Sequence, residues 1–173
     1  SEHDVSILAT SALKGAVVAS GAEDVTYVNT PALAEAKGIT ASVNSDPESP
    51  MYRSYIALHA AFPSGESIVV KGTLMGIRMV EKIIAIDEFD LDLPPTDNLL
   101  FLRYTDKPGV VGTVGQALGK AGVNIAGMQV ARDHAGGKAL MAITIDSAID
   151  DSVLKNLKQE IGAELVEAVN LVI

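Results

Sequence analysis

The 173-residue chain carries 13 lysines and arginines against 22 aspartates and glutamates, for a net charge of -9, and 48% of its residues are hydrophobic. That length fills one core or two small ones, and the acidic balance excludes nucleic acid and anionic membrane as partners held by charge. Cysteine is absent, which removes disulfides, thiolate metal sites and cysteine nucleophiles together and fits a reducing, cytoplasmic setting.

No apolar run approaches the roughly 20 residues of a membrane span, and no charged stretch precedes an apolar one at the start. The sequence opens at Ser1, without an initiator methionine, so a piece of a longer polypeptide is expected.

In chain order, residues 5–8 read as a short strand remnant, and residues 11–20 have helical apolar spacing closed by Gly21. Residues 25–28 read as extended. Pro31 suits the first position of a short helix, 31–36, closed by Gly38. From Ile39 the period becomes that of strands: 53–62, 66–75, 77–86 and 89–93, separated by Pro63-Ser64-Gly65, by Gly76 and by an acidic bend. This predicts an antiparallel meander whose apolar face the two early helices cover. The segment Asp92-Leu93-Pro94-Pro95-Thr96-Asp97-Asn98 then interrupts helix and ladder alike. We place the domain boundary there, between residues 1–95 and 96–173.

Beyond it the order is strand 99–104, helix 109–121, strand 124–132, strand 138–145, helix 150–160 and strand 165–173. The fold class is therefore α+β, with a ferredoxin-like βαββαβ unit in second place. Val110, Val114, Leu118 and Ala121 share one helical face, as do Val153, Leu154, Leu157 and Ile161, so both helices are expected on one side of a four-stranded sheet. Asp133-His134-Ala135-Gly136-Gly137 closes the central hairpin. The other sheet face is left bare in this reading, and with the edge strands it asks for a partner.

Candidate chemistry is sparse. His3, His59 and His134 lie far apart with no second ligand or triad partner in step, so neither a catalytic nor a metal site is assigned. The run Asp87-Glu88-Phe89-Asp90-Leu91-Asp92 lacks the glycine-bearing spacing of a calcium loop and reads as a solvated edge strand. Gly109, Gly112 and Gly115 match neither dinucleotide nor phosphate-loop spacing. Gly112, Gly115 and Gly119 instead make a smooth helical stripe, suited to close packing on the neighbouring helix or on a twin subunit. Asp106 follows the first strand of the unit, where it caps the next helix or accepts from an ammonium. Asn124 opens the second strand with both a donor and an acceptor. With these strands taken as neighbours, and with amides free at the helix start by Gly109 and Val110, the group is suited to a free amino acid.

These residues resemble an ACT domain over residues 99–173, most specifically in Tyr104-Thr105-Asp106-Lys107-Pro108-Gly109 and Gly122-Val123-Asn124-Ile125. In the first half, Tyr27-Val28-Asn29-Thr30-Pro31-Ala32-Leu33-Ala34, Glu48-Ser49-Pro50 with Arg53-Ser54, and Gly72-Thr73-Leu74-Met75-Gly76 resemble the intervening domain of long-form bacterial D-3-phosphoglycerate dehydrogenases. The resemblance implies a C-terminal regulatory region, not itself an enzyme, of a parent that oxidises 3-phosphoglycerate with NAD. L-serine, bound where two ACT domains pair, would inhibit that parent. By position it implies serine contacts at Tyr104, Asp106 and Asn124, with Gly109, Val110 and Val111 close by.

The implied partners are a second copy and the catalytic domains of the parent chain. The family's intervening domain also implies an anionic effector site, for which Arg53, Lys71, Arg78 and Lys82 are the available cations. Asp87, Glu88, Asp90 and Asp92 oppose it unless they point away. Two other readings are weighed. The regulatory part of an iron–sulfur L-serine dehydratase differs in what precedes Ser1. A ferredoxin-like RNA-binding module needs exposed aromatic and basic residues that the central strands lack.

Overall fold

The computed structural model describes residues 5–46 and 52–171. His3, the Glu48-Ser49-Pro50 motif and the last two residues of the predicted 165–173 strand lie outside them. The chain forms two compact units, residues 1–53 and 54–173.

The first unit holds α1 (Ser6–Ala19) and α2 (Thr30–Ala36). Residues 6–8, expected as strand, are instead the first turn of α1. The Thr10 and Ser11 hydroxyls donate back to the carbonyls of Ser6 and Ile7, completing a helical turn where an isolated strand would have no ladder. Residues 25–28 are likewise not extended. Thr26 and Asn29 exchange backbone-to-side-chain bonds of 2.7 and 3.2 Å, and the buried Thr30 hydroxyl donates to the Thr26 carbonyl, winding this stretch into the start of α2. The two helices pack on each other around Val17 and Ala34.

The second unit begins with the predicted meander: β1 (Ile56–Ala61), β2 (Ser67–Met75), β3 (Val80–Ile86) and β4 (Phe89–Leu93), in that order across one antiparallel sheet. β5 (Asn98–Thr105), α3 (Val110–Lys120), β6 (Ile125–Arg132), β7 (Lys138–Ile145), α4 (Asp151–Ile161) and β8 (Leu165–Asn170) complete the βαββαβ order. The second sheet runs β6-β7-β5-β8. Leu100, Leu102, Tyr104, Met141 and Ile143 meet Val110, Val114, Leu118, Leu157 and Ile161 of the helices, as the helical spacing predicts. Ala117 takes the place expected of Ala121, which is exposed.

The opposite face of this sheet is not bare. Phe89, Leu91 and Leu93, alternate residues of β4, pack with Ile86 against Leu99, Leu140 and Ala142, all 8% exposed or less. Alternation along β4 turns every apolar side chain toward this seam and sends Asp90 and Asp92 to the other side. Two polar ties reinforce it. The Arg103 guanidinium of β5 pairs with Asp87 in the β3–β4 turn, and Gln129 of β6 bonds both the N–H (2.9 Å) and the carbonyl (2.7 Å) of Asp92. The Gln129 amide thus serves as a strand partner for the free edge of β4.

The glycine stripe of α3 does not pack on the neighbouring helix. A β-carbon placed on Gly112, Gly115 or Gly119 meets nothing within 4 Å. No helix among the described residues is long and apolar enough to cross a membrane.

Candidate functional site

β5 leaves its sheet at Thr105, and Asp106 follows directly. Gly109 has φ +95°, a left-handed conformation that favours glycine, and turns the chain into α3. The first helical bond runs from Thr113 N–H to the Gly109 carbonyl (3.0 Å), so the amides of Val110, Val111 and Gly112 have no helical acceptor. Asp106 does not cap them.

Its carboxylate turns to the β6–β7 hairpin, where Oδ2 accepts from Arg132 Nη1 at 3.1 Å and from the Gly136 amide at 3.3 Å. The Asp106 amide donates to the Gly137 carbonyl at 2.7 Å, tying the two loops together. The bond from Arg132, helped by that from Gly136, holds the Asp106 carboxyl below the usual carboxylate range against an opposing effect of desolvation. Tyr104 is 2% exposed in the helix-side core, and burial together with the Asp106 charge raises its pKa, keeping the phenol protonated. Val110 is buried as well, whereas Val111 is half exposed beside Gly109.

Asn124 is elsewhere. β7 lies between β5 and β6 and runs antiparallel to both, so β5 and β6 are parallel and are not neighbours. The end of β5 therefore adjoins the end of β6, while Asn124 sits at the beginning of β6. At about 3.3 Å per residue the two candidates are roughly 25 Å apart. The expected adjacency of Asp106 and Asn124 within one chain is thus corrected by the strand order. The Asn124 amide instead donates to Asp146 Oδ2 at 2.7 Å. Nearby is a hollow of about 320 Å³ lined by Thr96, Asp97, Asn98 and Asp146, whose two carboxylates suit no anion.

Sequence reasoning missed Arg132, Gly136 and Asp146. The βαββαβ order carries the signal that finds the first two, since its usual strand arrangement puts the β6–β7 turn beside the end of β5.

Of the cations considered for an anion, Lys71, Arg78 and Lys82 lie in the second unit. Arg53 falls in the first unit, and Arg78 is in the β2–β3 turn. Lys71 and Lys82 alternate with Val70 and Ile83, which pack on the seam, so both stand on the outer face of the first sheet. Lys82 is already paired with Asp92 at 2.7 Å, and Asp90 shares that face, so an anion there would have to displace a carboxylate. Among the described residues no three histidine, aspartate or glutamate side chains gather to hold a metal.

Two family models match the chain: the D-3-phosphoglycerate dehydrogenase intervening domain over residues 1–87 and the ACT domain over residues 98–162. Among curated relatives, the chain is 36% identical over 169 residues to a D-3-phosphoglycerate dehydrogenase of Mycobacterium leprae, covering 98% of the chain and 32% of that protein. The enzyme of the same name from Synechocystis is 33% identical over 155 residues, covering 90% of the chain and 28% of that protein. The one from Bacillus subtilis is 40% identical over 77 residues, or 44% and 15%. The chain spans about a third of the length of the first of these relatives.

Proposed function

The chain belongs to the family of the D-3-phosphoglycerate dehydrogenase intervening domain and carries an ACT domain after it; we propose that it is the regulatory part of such a dehydrogenase, and that two copies bind L-serine between their ACT domains to restrain serine synthesis. The domain division at residues 95 and 96 belongs to this proposal, since one family match ends at 87 and the other begins at 98. Cytoplasmic placement goes with it.

The observation that carries the reading is the placing of Asn124 before the start of β6 and of Asp106 beside its end, β6 having one edge unpaired among the described residues. Two copies pairing that edge about a two-fold axis would run antiparallel. Each Asn124 would then come to the other copy's Arg132 and Asp106. A zwitterion there would have the Asp106 carboxylate for its ammonium, free amides at the start of α3 for its carboxylate, and Asn124 from the second copy. The open glycine stripe of α3 leaves room for a close approach.

Ligand held in only one arrangement of the pair biases that arrangement, and a coupling of about 1–3 kcal/mol would be enough to regulate catalytic domains elsewhere in the parent. In this reading NAD belongs to the catalytic domains of the parent. The glycines of α3 lie within a helix instead of forming a loop that cradles phosphate.

Calorimetry with L-serine tests the reading, and mixing tests the sharing. Asp106→Ala and Asn124→Ala should each abolish binding alone. Unfolded and refolded together, they should regain up to half the sites in the mixed dimers, because one site there carries both changes and the other neither. A wild-type chain that gives no heat with millimolar L-serine would refute the function, and mixtures that stay inactive would refute the shared site.

A further inference from the structure

Arg132 ends β6 opposite Ala139 of β7, which also faces Tyr104 of β5, so all three side chains stand on the helix-bearing face at the Asp106 end. Its guanidinium gives Asp106 one hydrogen bond, from Nη1 to Oδ2. A guanidinium has five donors in a planar fork, and the others meet no acceptor among the described residues. The Asp106 carboxylate is half used in the same way, because Arg132 and Gly136 both donate to Oδ2 and leave Oδ1 without a donor among the described residues.

An acceptor oxygen and a donor fork therefore lie side by side, with the Arg132 side chain 57% exposed and that of Asp106 20% exposed. Asp133, the other carboxylate of the turn, has its Oδ1 beside the His134 amide (2.6 Å) and imidazole (3.1 Å), and Arg132 pairs with Asp106 instead. Opposite charges at this spacing are the complement of an α-amino acid's two charged groups.

We propose that Arg132 is a specificity-determining residue, taking the effector's α-carboxylate on its free donors while Asp106 Oδ1 takes the ammonium. This rests on the reading above, that Asp106 belongs to an amino-acid site, and adds the residue that demands a carboxylate. An exposed ion pair is weak by itself, and opening it to receive a zwitterion leaves neither charge without a partner. The α3 amides supply partial charge from the other side, whereas Arg132 supplies a full one in the fork geometry that suits a carboxylate. Ligands lacking the carboxylate should be excluded accordingly.

The test uses the full 173-residue chain and two probes: L-serine, and ethanolamine, which keeps the amine and hydroxyl without the carboxylate. By calorimetry the wild type should favour L-serine by at least about tenfold, the value of one charge-assisted bond. Arg132→Met should weaken L-serine about tenfold and leave ethanolamine unchanged or tighter, so that the preference collapses; Arg132→Lys should recover part of it. A preference in Arg132→Met equal to that of the wild type overturns the proposal, as does a wild type that binds L-serine no better than ethanolamine. In both of those cases the effector reading survives. A wild type that binds neither probe brings down both. Circular dichroism checks folding, and if Arg132→Met does not fold, a full wild-type affinity in Arg132→Gln overturns the proposal equally.

Discussion

Phe89→Ala tests the packing between the two sheets of the second unit. The ring is 1% exposed, packs among Ile86, Leu93, Leu99, Leu140 and Ala142, and lies 5.7 Å from the Arg103 guanidinium. Truncating a buried phenylalanine costs about 3–5 kcal/mol, from lost transfer energy and the cavity left behind. Losing the cation–π contact adds roughly 0.5–1 kcal/mol. Arg103 is affected as well, because its pairing with Asp87 depends on the β3–β4 turn that Phe89 anchors. Against a total stability of about 5–15 kcal/mol this is a severe lesion, and the melting temperature should fall by roughly 7–24 °C. Urea unfolding followed by circular dichroism, with thermal melts beside it, measures both. A cost under about 1 kcal/mol would mean that this face of the second sheet is open to water, and the packing argument would be refuted.

The remaining predictions concern Gln129 within β6 and the Asp106–Arg132 pair at its end. Gln129→Leu removes both bonds to Asp92 and should cost about 1–2 kcal/mol; the Asp92 amide should exchange about tenfold faster while that of Leu102 does not change, and equal exchange at Asp92 would show that the tie holds nothing. Asp106 has a depressed folded-state pKa, so its contribution is complete above the unfolded value of about 3.9 and is lost only as pH falls through the lower folded value. An NMR titration of its carboxyl should show this, with Arg132→Met moving the midpoint upward. A midpoint at the ordinary value in the wild type would mean that the Arg132 bond does not persist in solution.

Local pattern made much of this protein legible. Period-two alternation located β1 to β4, and helical spacing located α3 and α4, because those signals come from which side of a single element meets water. The break between β4 and β5 at Pro94 and Pro95 and the Asp106 turn were equally visible. Where residues 6–8 and 25–28 departed from expectation, side-chain hydroxyls and an amide bonding to nearby backbone outweighed a weak apolar alternation.

Two features escaped the sequence, and both depend on contacts between residues far apart in the chain. That β7 separates β5 from β6 is a matter of strand order, and it moved Asn124 to the far end of the sheet from Asp106 while bringing Arg132 to it. That β4 covers Leu99, Leu140 and Ala142 is a matter of which sheet meets which, since alternation shows that a face is apolar without saying what buries it. Composition and spacing determined the elements and the residue types available at their ends; only the tertiary structure decided which ends meet, because long-range pairing is set by the joint burial of several faces and leaves no mark on any one segment.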